Sequence, residues 1–368
     1  MIDGSDGLQK NGAGTLTLTG ANTFSGGLII NGGNIANGTA GVDSFGANGG
    51  VVTISSATTL TVAGGIFGTT TMNKNFVLDA TLNMQSGNSG NGLTITGAVS
   101  GIGSIGGFGS GNIGGRVLTL ASLNNTFTGA LLSAQNSNIV VNSLADATVT
   151  PGSGNIFLGN SAGGGRFVLG TGAIAPLSLT NRSFVLNSTT GGEIYNSNTN
   201  VSNTVTVNTT LVVSGGNKSL TLAGVNTGAN RFAGAIADGV SSVISLSKKD
   251  AGTWILSGTN TYTGGSTISA GTLTFLTTAA KSATGTHAFA AATTLGLGVG
   301  DASGFSSADI ANAFANTLSG VSLTGTTNIG LDTTNGAFDC NSGIAGSPTN
   351  ALVKLGANTL TLSAVNTY

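Results

Sequence analysis

The stretch that decides the fold is residues 10–27, which read KNGAGTLTLTGANTFSGG. Leu16 and Leu18 stand two residues apart, and threonines fill the positions beside and between them (Thr15, Thr17, Thr19). Side chains of a β-strand alternate between its two faces, so this spacing predicts a strand with an apolar inner face and a hydroxyl outer face.

The residues after this strand predict a corner and a return to the core. Gly20 and Asn22 both tolerate the positive φ that a tight corner needs. Phe24 then brings an aromatic ring back inside, and the pair Gly26-Gly27 turns the chain again. We call residues 10–27 the phrase. It predicts short strands broken by turns roughly every 8–12 residues.

The phrase recurs three more times along the chain. Residues 248–265 repeat it in register as KKDAGTWILSGTNTYTGG, and residues 354–368 repeat it as KLGANTLTLSAVNTY, a truncated copy. A degenerate copy at 116–129 has one extra residue before Asn125, and Ala130 follows where the full copies have a second glycine. Repeats of this kind indicate a stacked array of similar units.

Between the copies the same rhythm continues, since short apolar runs are bounded by Gly, Asn or Ser. The predicted strands include residues 51–54, 60–62, 93–95, 139–141, 156–158, 184–186 and 205–207. The helix signal is confined to 306–318, where a serine cap precedes Ile310, Phe314 and Leu318 at four-residue spacing. We predict one short helix protruding from the strand array near 306–318.

Three fold classes compete for such a sequence. A sandwich or barrel would need hairpins, and Asn-Gly hairpin turns between paired strands are sparse. A disordered low-complexity chain is the second alternative, but the alternating apolar residues argue against it. We therefore predict an all-β, right-handed parallel β-helix, with residues 1–368 as a single array.

Composition limits the partners. Only 6% of the residues are charged, against about a quarter in an ordinary globular domain. Eleven Lys and Arg nearly balance twelve Asp and Glu, so no field favours nucleic acid or an anionic membrane. The single Cys340 excludes an intramolecular disulfide or a cysteine-cluster metal site. A surface of neutral hydroxyls and amides is typical of exported β-rich proteins.

No targeting or spanning segment is evident in the sequence. No run approaches the roughly 18 apolar residues of a membrane span. The first residues, MIDGSD, are acidic and no apolar stretch of a signal peptide follows. We expect the chain to be a fragment of a longer protein.

The recurring phrase resembles the passenger-associated (autotransporter-associated β-strand) repeat, at 10–27, 248–265 and 354–368 and weakly at 116–129. Residues 304–310 and 330–336 also resemble segments that accompany these repeats in very long bacterial surface proteins. The resemblance implies a right-handed β-helix passenger that is exported across the outer membrane and commonly acts in adhesion. In this family the repeat is linked to efficient secretion of the passenger.

Catalysis has few candidate residues. Glycoside hydrolysis needs two carboxylates about 5–10 Å apart, and the acidic residues are scattered except at Asp301, Asp309, Asp332 and Asp339. Convergence of these four with Lys281 would favour a polysaccharide enzyme, and a weak Ca²⁺ site is a further interpretation of them. We expect a solvated loop instead, with Asp309 in the first turn of a helix. The single histidine, His287, is expected at the surface or in a loop.

Three further patterns have plainer interpretations. The glycine-rich stretch 101–115 lacks the Gly-Lys-Ser/Thr ending of a phosphate loop and predicts turns. Trp254 and Tyr262 occupy apolar positions of the repeat and are expected in the core. Ladders of Thr-x-Thr would suit an ice-binding face, but strict register in every coil is not evident, so this is a minor alternative.

The sequence thus predicts a secreted or cell-surface β-helical stalk of the autotransporter type, structural and adhesive and not an enzyme. The main alternative is a β-helix that binds or degrades polysaccharide. We expect no catalytic, cofactor-binding or metal-binding residue and no cofactor. Expected partners are cell surfaces, matrix or polysaccharide through weak polar contacts, with end-to-end self-association if strand edges are uncapped.

Overall fold

The computed structural model describes residues 1–62, 69–86, 92–107, 116–133, 136–146, 154–160, 163–345 and 350–367. In this part of the chain the regular structure is nearly all β, with one α-helix and one 3₁₀ turn at Thr278–Ala280. The chain divides into two compact units, Met1–Tyr195 and Asn196–Tyr368, which are described separately. That residues 1–368 form a single array stays a prediction.

The first strands are β1 (Leu8–Lys10), β2 (Thr15–Leu18), β3 (Leu28–Ile30), β4 (Asn34–Asn37), β5 (Val51–Ile54), β6 (Thr58–Val62), β7 (Thr69–Met72), β8 (Asn75–Leu78), β9 (Leu82–Ser86), β10 (Gly92–Ile95), β11 (Val99–Gly101), β12 (Ile105–Gly106), β13 (Arg116–Leu120), β14 (Leu131–Ser133), β15 (Ser137–Val141), β16 (Ile156–Leu158), β17 (Arg166–Leu169), β18 (Leu177–Leu179), β19 (Phe184–Leu186) and β20 (Gly191–Asn196). The remaining strands are β21 (Val205–Val207), β22 (Val212–Val213), β23 (Lys218–Gly224), β24 (Asn230–Phe232), β25 (Ile244–Lys248), β26 (Thr253–Leu256), β27 (Ser266–Ile268), β28 (Thr272–Phe275), β29 (His287–Phe289), β30 (Thr294–Gly298), β31 (Val321–Leu323), β32 (Asn328–Asp332), β33 (Phe338–Cys340), β34 (Leu352–Leu355) and β35 (Leu360–Leu362).

The first unit stacks its strands in parallel sheets. One sheet has the order β1-β3-β5-β8-β11, a second includes β7-β10-β13-β15-β17, and a third includes β2-β4-β6-β9-β12-β14-β16-β19. Neighbouring strands are separated by one coil of chain, since Leu8 pairs with Leu28 and Leu93 with Leu118. Each coil therefore lies on the preceding one, as a β-solenoid requires.

The second unit repeats this architecture. One sheet includes β23-β25-β27-β29-β31, another includes β21-β24-β26-β28-β30-β32-β34, and β33 pairs with β35. Every one of these pairs is parallel. The prediction of a parallel β-helix is confirmed as a β-solenoid.

The core forms because the register places like residues on like. Trp254 pairs with Leu273, which pairs with Leu295, which in turn pairs with Ile329, and all four side chains are fully buried. Parallel strands lie about 4.8 Å apart, so stacked apolar side chains exclude water continuously along the interior. Trp254 and Tyr262 are core residues, as the sequence predicts. The counterpart Tyr368 lies outside the described residues.

The helix α1 runs from Ser307 to Phe314 and is shorter than the predicted 306–318. Ser306 is its N-cap and forms a capping box with Asp309, because each side chain bonds the other residue's backbone N–H. Ala315 is the C-cap, and Asn316 has a φ of 54°, which ends the helical conformation before Leu318 is reached. The helix belongs to the long coil in which Thr294 pairs with Asn328.

The two glycines that close the repeat serve different purposes. Gly27 and Gly265 have φ values of 86° and 70°, so the second position requires the left-handed region. At the first position a Cβ would collide with the neighbouring coil, because a Cβ on Gly264 would lie 2.6 Å from the carbonyl oxygen of Ile244. A Cβ on Gly26 or on Gly129 of the degenerate copy would likewise meet backbone atoms.

The substitution Gly264→Ala is expected to lower the free energy of unfolding by about 1–3 kcal/mol, the usual cost of forcing extra volume into packed structure. The measurement is urea denaturation followed by circular dichroism. Gly14→Ala is the matched control, since a Cβ there meets no atom within 4 Å. It should be neutral or stabilising by less than about 1 kcal/mol. Equal losses for both variants would contradict the close-approach explanation.

Candidate functional site

The repeat asparagine joins successive coils, a role that the sequence analysis missed. In each of the four copies its side-chain oxygen accepts a hydrogen bond from a backbone N–H of the preceding coil. The bonds run from Ile2 to Asn22 (2.8 Å), from Val99 to Asn125 (3.2 Å), from Ile236 to Asn260 (2.8 Å) and from Ile344 to Asn366 (2.9 Å). The carbonyl of the same apolar residue accepts from the backbone N–H of the threonine after each asparagine.

The amide nitrogen of this asparagine completes the bridge in three copies. Asn22 donates to the Ser44 carbonyl at 2.8 Å, and Asn260 donates to the Ala280 carbonyl at 2.6 Å. Asn125 donates to the Ser143 carbonyl at 3.1 Å. The predicted positive φ of Asn22 is wrong, because Asn22 is not among the described residues with positive φ. Its side chain, and not its backbone, is what the corner requires.

The first lysine of the repeat directs its ammonium group into backbone carbonyls. Lys248 Nζ donates to the carbonyls of Lys249 (2.7 Å), Asp250 (2.7 Å) and Ala270 (3.0 Å). An ammonium group has three donors, so this arrangement satisfies all of them. Burial lowers the pKa of Lys248 to about 8, while the charge of Asp250 opposes this shift.

The same arrangement recurs in the other copies that begin with lysine. Lys10 Nζ donates to the carbonyls of Asn11 at 3.0 Å, Gly12 at 2.6 Å and Gly32 at 2.9 Å. Lys354 Nζ donates to the carbonyls of the next two residues and to the Thr333 hydroxyl at 2.9 Å. The lysine is therefore part of the turn and is not presented as a basic patch.

His287 is buried, so its predicted place at the surface or in a loop is wrong. It begins strand β29, and its side chain is fully inaccessible. The ring lies against Phe275 and Tyr262, with centroid distances of 5.0 and 6.1 Å. Phe289 also points inward, and a strand period of two residues therefore places His287 on the same inner face.

A polar chain runs through the core around this histidine. His287 Nε2 donates to the Ser282 carbonyl at 3.1 Å, because a carbonyl can only accept. In the neutral ring Nδ1 then accepts from the Ser266 hydroxyl at 3.0 Å, and Tyr262 donates to that hydroxyl oxygen at 2.7 Å. Burial raises the pKa of Tyr262 to about 12.

A serine beside a histidine resembles a nucleophile beside its base. Here Ser266, His287 and Tyr262 are all buried, and no more than 3% of any of them is exposed. A nucleophile must reach its substrate, so the arrangement explains core packing and polar satisfaction and offers no access for a reaction.

The four acidic residues singled out in the sequence have separate local roles. Asp301 is exposed and accepts from Ser303, and these hydrogen bonds lower the pKa of Asp301. Asp309 caps the helix, as expected, while Asp332 is buried and accepts from Thr334. Asp339 is exposed in β33, so the predicted solvated loop is wrong for Asp332 and Asp339, which both lie in strands. Among the residues described, no group of three His, Cys, Asp or Glu could hold a metal ion.

Lys281 makes no ion pair with these four residues in the described part of the chain, although the charge of Asp309 acts on it. Its Nζ donates to the Ser319 carbonyl at 3.0 Å. The prediction of turns for the glycine-rich stretch 101–115 is wrong in part, because Gly101 ends β11 and Ile105–Gly106 form β12. Residues 108–115 lie outside the described part of the chain. The eight-residue α1 is too short to cross a membrane, and the described residues contain no longer helix.

The outer surface of the second unit carries a row of small hydroxyl side chains. On one sheet face the register joins Thr221 to Ser247, Ser247 to Thr267, Thr267 to Ala288 and Ala288 to Ser322. We call the residues Thr221, Ser247, Thr267 and Ser322 the hydroxyl row. Each hydroxyl can donate and accept hydrogen bonds. Because Ala288 interrupts the row, it lacks the unbroken register of an ice-binding face.

The fold and these bonds define a parallel β-solenoid built on a recurring lysine, asparagine and aromatic phrase. Three segments, residues 8–36, 246–275 and 352–368, match the model of the family described as the passenger-associated-transport-repeat. They contain the three copies at 10–27, 248–265 and 354–368. The degenerate copy at 116–129 lies outside these segments, although Asn125 makes the same backbone bonds.

A curated relative is the adhesin BmaC autotransporter of Brucella suis biovar 1 (strain 1330). The two sequences are 29% identical over 269 residues, which is 69% of this chain and 7% of the relative, so the chain spans a small part of that protein's length. No solved structure matches the chain. These two matches confirm the predicted resemblance to an autotransporter passenger and support a location at the cell surface.

The asparagine bridge is tested by Asn260→Ala. The change leaves the backbone N–H of Ile236 and the carbonyl of Ala280 without this partner, so we expect a loss of about 2–4 kcal/mol in the free energy of unfolding. Thr259→Ala, at the exposed preceding residue, should change it by less than about 0.5 kcal/mol. Similar urea midpoints for wild type and Asn260→Ala would refute the bridge.

Because His287 is buried, we expect the free energy of unfolding to depend on pH. Burial lowers the pKa of His287 below the ordinary value of 6.5, against the opposing effect of its bond to Ser282, and the charge of Lys281 lowers it further. Well above pH 6.5 the ring is neutral in both the folded and the unfolded chain. Below pH 6.5 the unfolded chain binds the proton first, so stability falls by up to about 1.4 kcal/mol per pH unit.

The measurement is urea unfolding between pH 7.5 and 5. The non-titrating variant His287→Gln should show a flatter profile over this window, because the chain has no other histidine. Parallel profiles for the two proteins would show that the buried ring does not cause the dependence.

Proposed function

We propose that this segment is part of an adhesive stalk, which holds a polar surface away from the cell and binds other surfaces through it. The observation that carries the proposal is the similarity to an adhesin autotransporter over 69% of the chain. Repeats and fold support a passenger, and the proposed role is adhesive and not catalytic.

The surface chemistry suits binding through many weak contacts. The hydroxyl row offers donors and acceptors at four of five successive strands, with no charge in it. A single hydroxyl contact exchanges one hydrogen bond with water for another and contributes little. Because the contacts are repeated on one chain, the later ones form intramolecularly, and the overall binding strength can exceed the affinity of a single contact by orders of magnitude. Cell surfaces, matrix and polysaccharide all present matching hydroxyl and amide groups.

The test is retention of protein-coated beads under flow. Beads carrying residues 1–368 should stay on cell monolayers, immobilised matrix or immobilised polysaccharide longer than albumin-coated beads, and soluble protein should compete. The variant Thr221→Val/Ser247→Ala/Thr267→Val should reduce retention several-fold, since cooperative contacts are lost together.

A matched control removes hydroxyls from another outward row, as Thr17→Val/Thr61→Val on β2 and β6 of the first unit. Circular dichroism checks that all variants keep their β content. Retention no greater than that of albumin on every surface would overturn the adhesive proposal. Equal loss in both variants would overturn the role given to the hydroxyl row.

A further inference from the structure

Nearly all positive charges of this protein are tied to its own structure. Of the eleven Lys and Arg side chains, all within the described residues, nine are buried or bonded to carbonyls or carboxylates. These nine are Lys10, Lys74, Arg116, Arg166, Arg182, Lys218, Lys248, Lys281 and Lys354. The remaining two are Lys249 and Arg231. A cation left accessible on a surface with so few charges points to a partner outside the chain.

Arg231 is held in position by its neighbour. It lies in the middle of β24, and its flanking residues Asn230 and Phe232 are buried, so its own side chain faces outward. Its Nε donates to the Ser257 hydroxyl at 2.7 Å. Among the described residues none accepts a hydrogen bond from its two terminal Nη groups. The guanidinium is thus oriented at one edge and available at the other.

The side chain lines a groove of about 490 Å³ within the second unit. This volume lies in the range of small-molecule sites. Polar groups in the lining come from Thr206, Asn208 and Thr334, and apolar surface comes from Ala229, Ala233, Ile255 and Leu276. Thr206 and Ile255 flank Arg231 along one outward row, because the register pairs each of them with it.

We propose that this groove binds a carboxylate-bearing polysaccharide, with a uronate carboxylate on the Nη groups of Arg231. A planar guanidinium accepts a carboxylate through two parallel N–H bonds. The hydroxyls of Thr206 and Thr334 and the amide of Asn208 suit sugar hydroxyls, and Ile255 suits the apolar face of a sugar ring. This proposal rests on the adhesive function above and names a ligand class for it.

Two other polymer classes fit the groove less well. An acidic peptide is usually bound by a cluster of arginines or by adding a strand to a sheet edge. The lining of this groove contains one arginine, and Arg231 lies on a sheet face where β21, β24 and β26 already pair. Nucleic acid requires several cations along its phosphates, and this groove contains one. A polymer with many hydroxyls and widely spaced carboxylates matches one cation among hydroxyl and methyl groups.

The experiment measures binding of polygalacturonate fragments to residues 1–368 by isothermal titration calorimetry. Wild type should bind, and polymer whose carboxyl groups have been reduced to alcohols should bind at least about tenfold more weakly. Arg231→Gln should weaken polygalacturonate binding by about tenfold or more. Lys249→Gln removes the other cation of this unit that is neither buried nor bonded to a carbonyl or carboxylate, and its binding should stay within about twofold of wild type. Circular dichroism checks that both variants are folded.

Three outcomes would overturn the proposal: equal binding by Arg231→Gln and wild type, an equal loss in Lys249→Gln, or equal binding of the carboxyl-reduced polymer. Polyglutamate binding as tight as polygalacturonate, with the same dependence on Arg231, would replace the polysaccharide by an acidic peptide. Bead retention separates the two proposals. Retained beads without polygalacturonate binding would refute only the ligand, and binding without retention would refute only adhesion.

Discussion

The structure depends on hydrogen bonds between successive coils. A coil of a solenoid does not satisfy its own backbone, so every strand relies on the coils before and after it. Within the strands the parallel ladder provides these bonds, but at corners the backbone leaves the ladder. Asn260 supplies the missing hydrogen bonds at its corner. Its side-chain oxygen accepts from the Ile236 backbone N–H, and its side-chain nitrogen donates to the Ala280 carbonyl. One side chain thus fixes the distance and register of three layers.

The distribution of charge reverses that of an ordinary soluble protein. Lys248 and Arg182 are fully buried, and both donate to backbone carbonyls, as Arg182 does toward Gly129, Ala145 and Gly154. Burial lowers the pKa of Arg182 to about 10. The outside consists mainly of hydroxyls and amides, whose interactions act at short range and are screened little by salt. Such a surface should bind by close contact and not by electrostatic steering.

Sequence periodicity predicted the fold because burial alternates with a period of two residues in most strands. Leu18, Trp254 and Tyr262 are inside for that reason. The polar residues were harder to place, because a turn residue and an inter-coil bridge have the same sequence preference. Asn22 was interpreted as a backbone residue, although its bonds reach Ile2 and Ser44, 20 and 22 positions away. The prediction for His287 was wrong because it relied on the polarity of a single histidine. The two-residue spacing from Phe289 would have placed both side chains on the inner face of the strand.

The degenerate copy shows which part of the repeat the fold requires. It contains an inserted residue and has Ala130 in place of the second glycine, and Ala130 is not among the described residues with positive φ. Yet Asn125 bonds Val99 as its counterparts bond theirs, and Phe127 is fully buried with the guanidinium of Arg182 5.2 Å from its ring. The turn at the end of the phrase can therefore vary. Loss of the asparagine would leave a corner without its hydrogen bonds, and loss of the aromatic ring would leave a cavity in the core. Contacts between coils thus restrict the inward and corner positions of the repeat, while its outward positions can differ from coil to coil and present different surfaces.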